Sequence, residues 1–203
     1  MAKDRIAVGV VGVGGRMGRA LLEGIAATPD LKLAGGVERP GHPACGMALE
    51  GGLIVGANVA PVAHKADVIV DFSSPAALPE TLRAAADAGV GVVVGTTGLG
   101  PQEEEALDRA SRDVAVLASA NMSLGVNLLA ALVGMAAARL GPEWDIEIAE
   151  LHHGQKRDAP SGTALLLGGA AAQGRGVSLA DVQLPPHAGW QAPRASGGIG
   201  FAS

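Results

Sequence analysis

The chain has 203 residues, 48% hydrophobic and 17% charged: enough apolar material for a sizeable core, and too much for wholesale disorder. Its net charge of -5, from 15 basic and 20 acidic residues, argues against nucleic acid or an acidic membrane as the main partner. The single cysteine, Cys45, excludes a disulfide framework and a cysteine-rich metal site, and fits a reducing cytoplasm.

With 2% aromatics and 31 glycines, the core must come from Ala, Val, Leu and Ile, and many turns from glycine. Met1-Ala-Lys-Asp-Arg-Ile opens like a signal peptide. Gly9 and Gly12 break the apolar run that follows, and there is no small-residue cleavage site, so a first strand is expected instead. Ile6 to Val11 is a continuous apolar run, as in a parallel strand buried on both faces. A helix follows over Met17 to Ala27, with Leu21, Leu22 and Ile25 at helical spacing, then a strand over Leu31 to Val37. Pro40 to Lys65, rich in Gly and Pro, yields no assignment. Beyond it come a strand at Val68 to Asp71, a helix through Leu82 to Ala88, a strand at Val90 to Val94, a helix at Pro101 to Ala110 and a strand at Val114 to Ala118. This alternation implies βαβ units and an α/β fold around a doubly wound parallel sheet.

A long helix near Ser123 to Leu140 begins a different texture. Its apolar stretch, Leu128 to Leu140, is too short to span a membrane and carries Arg139, so a buried helix is expected. Asp145 to Leu151 alternates polar and apolar residues, as a half-exposed strand does. A domain boundary is expected near Ser119 to Ser123, giving domains 1–122 and 123–203, the second a smaller α+β unit. Ser196 to Ser203 reads as the entry to a strand with no closing turn or helix after it, so this second domain is expected to be incomplete.

Gly12-Val13-Gly14-Gly15-Arg16-Met17-Gly18 follows the first strand and opens the first helix. Such glycines permit a tight turn and let backbone N–H groups approach a pyrophosphate at a helix N-terminus. Met17 stands where the common Gly-x-Gly-x-x-Gly pattern has its third glycine, and a plain tight turn would use the same residues. Glu38 closes the second strand about twenty residues on, where an acid grips ribose hydroxyls. Arg39 suits a 2′-phosphate, or is a solvated surface charge. Together they point to use of both NADH and NADPH. Further loops at strand ends are Asp71 to Pro75, Gly95-Thr96-Thr97-Gly98, small enough to admit a nicotinamide ring, and Ser119-Ala120-Asn121-Met122.

The densest chemical cluster runs from Glu150 to Thr163. His152 and His153 point to opposite sides in extended chain, Lys156 follows, and Ser161 is placed to cap a helix beginning at Gly162 and Thr163. A helix N-terminus with Lys and His⁺ receives a carboxylate, and imidazole and ammonium groups donate protons. A zinc half-site at the histidines lacks Cys partners and a third ligand; Lys156 as a surface charge is the other plain reading. His42, His64 and His187 lie in loops without partners and are read as playing no part.

The glycine loop, Asp71-Phe-Ser-Ser-Pro75, Gly95-Thr-Thr-Gly98 and above all Glu150-Leu-His-His-x-x-Lys-x-Asp-Ala-Pro-Ser-Gly-Thr163 resemble the 4-hydroxy-tetrahydrodipicolinate reductase (dihydrodipicolinate reductase) family of lysine and diaminopimelate synthesis, along essentially the whole chain. The resemblance implies a Rossmann-type dinucleotide-binding domain followed by a substrate-binding and catalytic domain. It implies NAD(P)H-dependent reduction of a cyclic dicarboxylate, with His152 as proton donor and acceptor and Lys156 as proton donor. His153, Gly162 and Thr163 match substrate-carboxylate positions. Gly12 to Met17, Glu38, Arg39, Gly95 to Thr97 and Ser119 to Met122 match cofactor positions, and no metal is implied. Family members are tetramers built through a sheet of the second domain and continue past Ile199 to Ser203, which puts that assembly in doubt here. Two other readings remain: a non-catalytic nucleotide-binding module, and another small Rossmann oxidoreductase. The double-histidine loop and the lack of a cysteine near a substrate loop speak against the latter.

Overall fold

A computed structural model describes residues 5–152, 154, 159–185 and 195–203. The chain divides into two compact units, Met1–Ser119 and Ala120–Ser203.

The first unit alternates strand and helix: β1 (Ile6–Val11), α1 (Arg16–Ala27), β2 (Leu31–Val37), the short α2 (Ala60–Ala63), β3 (Val68–Asp71), α3 (Leu78–Ala88), β4 (Gly91–Val94), α4 (Pro101–Ala110) and β5 (Val116–Ala118). All strands are parallel, in the order β2-β1-β3-β4-β5. The apolar runs are long enough to be covered on both faces. Val8, Val10, Val13 and Ile25 form one core cluster; Ile69, Leu78, Leu82, Val92 and Val94 belong to another.

The order places the topological switch between β1 and β3. Ligands of open α/β sheets bind outside the carboxyl ends of strands at such a point. The register aligns those ends: Val11 pairs with Val37 and with Asp71, and Asp71 with Val94. Gly12, Glu38, Phe72 and Gly95 therefore leave the sheet side by side.

The segment from Pro40 to Lys65 is mostly turns. It holds a 3₁₀ turn at Glu50–Gly52, helix α2 and isolated bridges from Val37 to Gly56 and from Ala48 to Ile54.

The second unit contains α5 (Leu124–Arg139), β6 (Ile146–Ala149), α6 (Gly162–Gly174), the short α7 (Leu179–Val182) and β7 (Ile199–Ala202), with β6 and β7 paired in parallel. Ile199 is buried, and the Phe201 ring packs where Gly168 has no side chain. The expectation of a buried helix at Leu128 to Leu140 is corrected here. Along α5, Leu124, Leu128, Leu132 and Met135 are exposed, Leu124 by 85%, and Ala137 alone is buried. The helix is apolar around its circumference, but it meets α6 through small residues: a Cβ on Gly174 would lie against the carbonyl oxygen of Gly134. Among the described residues no helix is long and apolar enough to cross a membrane.

Candidate functional site

In the first unit a cavity of about 650 Å³ opens at the switch point. This is the size of ordinary small-molecule sites, roughly 300–1,000 Å³. Its walls include Gly12, Gly14, Gly15, Glu38 and Arg39, so five expected cofactor residues come together. Backbone bonds tie the glycine loop to β2: the N–H groups of Gly12 and Val13 donate to the Val37 carbonyl at 2.8 and 3.3 Å. The loop needs its glycines. Gly12 has φ +89°, and a Cβ on it would sit 2.6 Å from the Phe72 carbonyl oxygen. Gly18 is buried, and its Cβ would lie 2.1 Å from the Gly12 oxygen. The close helix–strand packing usual for the third glycine is thus made at Gly18, one residue beyond Met17.

These features fit a dinucleotide phosphate. No side chain caps α1 at Gly15, and its first turn holds no acid, so its N-terminal dipole is unopposed. Glu38 accepts from Gly14 N–H at 2.9 Å through Oε2 and from Arg39 N–H at 3.0 Å through Oε1, which fixes its carboxylate at the cavity wall.

Other expected residues stand elsewhere. Val13 is buried in the core, and Met17 is 49% exposed at the start of α1, next to the exposed Arg16. Gly95 makes room for the Phe72 ring, whose Cζ would lie 2.1 Å from an added Cβ. Thr96 is buried and donates its hydroxyl to Asp71 Oδ1 at 2.7 Å, whereas Thr97 is exposed. Asp71 is fully buried. Its Oδ1 also accepts from Ser73 N–H at 3.0 Å and Ser73 Oγ at 2.7 Å, tying the loop after β3 to the loop after β4. Ser73 and Ser74 line the cavity in consequence, as do Glu80 and Thr81 of α3, which no sequence signal marked. His42 lines it too and has a partner, Ala44 N–H at 3.1 Å, which corrects the expectation that it lacks one.

In the second unit, Glu150 leaves β6 and gathers the start of the motif. Its Oε2 lies 2.9 Å from His152 Nε2; its Oε1 accepts from Ser161 N–H and from Ser203 Oγ, both at 2.8 Å. Ser161 caps α6 as expected, accepting from Ala164 N–H at 3.1 Å. Asn121 Nδ2 donates to Thr163 Oγ1 at 3.1 Å, joining the Ser119–Met122 loop to the first turn of α6. Ala120 and Met122 are exposed, and Ser119 closes the first unit. His153 and Lys156 lie outside the described residues, as does His187.

Hydrogen bonds from the Ser161 side chain, then from His152, hold the Glu150 carboxyl down at about 2, below its ordinary 4.5. A carboxyl depressed on folding stabilises the fold above its unfolded value and loses that contribution as pH falls through the folded one. Glu150→Gln should therefore melt below the parent at neutral pH. The gap should close as pH is lowered from 4.5 towards 2, which melting curves across that window will show. A gap constant with pH would remove the charge from the account.

Profiles of the two parts of one family match this chain: dihydrodipicolinate reductase, N-terminus, over residues 6–122, and dihydrodipicolinate reductase, C-terminus, over residues 125–203. The chain belongs to the dihydrodipicolinate reductase family. It is 48% identical over 206 residues to the 4-hydroxy-tetrahydrodipicolinate reductase of Parvibaculum lavamentivorans (strain DS-1), covering 98% of this chain and 76% of that one. It is 47% identical over 204 residues to the enzyme of that name from Brucella abortus (strain 2308), covering 96% and 75%. Among solved structures, the dipicolinate-bound dihydrodipicolinate reductase from Paenisporosarcina sp. TG-14 superposes with a TM-score of 0.72 at 23% identity, over 98% of this chain and 78% of that one. That last likeness establishes the fold. For this dihydrodipicolinate reductase family member, the α/β reading of the sequence holds, with a Rossmann-like first unit.

Proposed function

We propose that this chain reduces 4-hydroxy-tetrahydrodipicolinate with NAD(P)H in lysine and diaminopimelate synthesis. The observation that carries the reading is near-half identity to curated reductases of that name along almost the whole chain. The first unit, with its cavity of Gly12, Gly14, Gly15, Glu38 and Arg39, would hold the dinucleotide. Reduced nicotinamide, when bound, supplies a hydride. The chain supplies orientation and a proton. His152 shares Nε2 with Glu150, so Nε2 carries the hydrogen of that bond and Nδ1 is left to exchange a proton. His153, Lys156 and the α6 N-terminus at Gly162 and Thr163 would receive the substrate carboxylates, the capped helix end favouring an anion. Lys156 would also donate a proton. Loss of water from the hydroxylated substrate leaves the unsaturated ring that takes the hydride and the proton. A cytoplasmic setting and a tetramer through the sheet of the second unit belong to the same proposal.

The test is substrate-dependent loss of reduced-nicotinamide absorbance by the purified chain. Nucleotide binding without turnover would sink the reading in favour of a non-catalytic module. Arg39→Ala should weaken NADPH by about tenfold or more and NADH far less, because a guanidinium pairs bidentately with a phosphate. Equal losses in a titration of the two cofactors would show that Arg39 reads no phosphate.

A further inference from the structure

We infer that His42 is a specificity-determining residue, reading a 2′-phosphate on the adenosine of the cofactor beside Arg39. The inference rests on the NAD(P)H reading of the cavity. The Glu38 carboxylate is pinned by the N–H groups of Gly14 and Arg39, so it stays against whatever occupies the adjoining cavity. A fixed carboxylate accepts hydrogen bonds from ribose hydroxyls and repels a phosphate dianion. A cavity that takes the phosphorylated cofactor needs donors to offset this acid.

The chain supplies one by turning back on itself. His42 N–H donates to the Arg39 carbonyl at 3.1 Å, and Cys45 N–H to the His42 carbonyl at 2.9 Å. Pro40 and Pro43 flank the imidazole and restrict its backbone. The ring edge then lies over Gly14. A Cβ there would meet His42 Cε1 at 2.4 Å and Nδ1 at 2.9 Å, so the glycine leaves the space that the imidazole occupies. The tautomer follows from the same turn. Nδ1 accepts from Ala44 N–H at 3.1 Å, so the proton of the neutral ring is on Nε2. Glu38, Arg39 and His42 thus share the wall of one cavity, Glu38 as a pinned acceptor and His42 with its remaining donor at Nε2. A 2′-hydroxyl is satisfied by Glu38 alone, whereas a 2′-phosphate calls on Arg39 and His42.

Calorimetric titration of the full chain with 2′,5′-ADP and 5′-AMP tests this without turnover. His42→Ala should weaken 2′,5′-ADP by about tenfold, the size of one hydrogen bond to a charged group, and 5′-AMP by under about twofold. His42→Gln, which keeps an amide donor, should recover part of the loss. Equal losses for both nucleotides would reduce His42 to a prop for the loop, and an unchanged 2′,5′-ADP affinity would also overturn the inference. If the parent chain binds neither nucleotide, the NAD(P)H reading fails and this inference falls with it. Retained 5′-AMP binding with no selective loss overturns the inference alone.

Discussion

His152→Gln is expected to lower kcat by about 10²–10⁴ while nucleotide affinity stays within about twofold, because removing a positioned acid or base typically costs that much in rate. The variant separates position from chemistry. Glutamine can still donate to Glu150 Oε2, which now lies 2.9 Å from His152 Nε2, and so can preserve the local bonding. It cannot take up and release a proton near neutral pH. Glu150 is anionic through the whole working range, since its carboxyl titrates at about 2, and it holds the imidazole by a charge-assisted bond. Lys156→Ala should fall in the same range. Two carboxylates entering a site need a cation, and charge developing on the reduced ring needs a proton; an ammonium four residues after His152 can supply either. Steady-state kinetics at saturating NADPH, with nucleotide titration in parallel, decides the matter. Near-parental kcat in His152→Gln would leave the imidazole as a partner of Glu150 and no more; the same result in Lys156→Ala would leave that residue a surface charge.

The parts legible in the sequence are those whose signal is local. β1, β3 and α4 fall on the expected residues because a short apolar run, or a Pro-initiated amphipathic stretch, is a local signal for its element. Pro40 to Lys65 resisted because it holds few repeating backbone bonds. It is positioned by single bridges such as Val37 to Gly56, which depend on contacts remote in sequence. The exposure of α5 departs from expectation for a related reason: composition records that a helix is apolar, but not which side its neighbour covers. The cavity divides the same way. Gly12 to Gly15 and Glu38 to Arg39 announce themselves, since a phosphate turn and a strand-end acid are local patterns. His42 acquires meaning only from a turn that returns it over Gly14. The Thr96 hydroxyl is directed to the buried Asp71, a partner 25 residues away that no local pattern marks. Met17 breaks the usual glycine spacing, and the packing shows Gly18 meeting the steric demand instead.

That demand gives the second large expectation. Gly18→Ala should lower the melting temperature and weaken nucleotide binding by more than about tenfold, even though alanine is the better helix former by about 1 kcal/mol. Gly18 is the third residue of α1. A Cβ there would lie 2.1 Å from the Gly12 oxygen, 2.6 Å from Val13 Cα and 2.8 Å from the Gly12 carbonyl carbon. All three are backbone atoms, so no side-chain rotation relieves the overlap. Either α1 shifts away from the sheet or the loop is pushed into the cavity that Gly12, Gly14 and Gly15 wall. Overpacking of this kind costs roughly 1–3 kcal/mol, which outweighs the gain in propensity. The same helix supplies the control. Gly24 is exposed, and an added Cβ would meet nothing within 4 Å. Gly24→Ala should therefore raise stability by about 0.5–1 kcal/mol and leave nucleotide binding unchanged. Opposite signs at two glycines six positions apart on one helix would separate packing from propensity, because propensity alone predicts a gain at both. Thermal melts and nucleotide titrations of the two variants measure it. A Gly18→Ala protein that melts above the parent and binds nucleotide normally would show that the loop yields, and that the close approach of α1 to it is no requirement of the site.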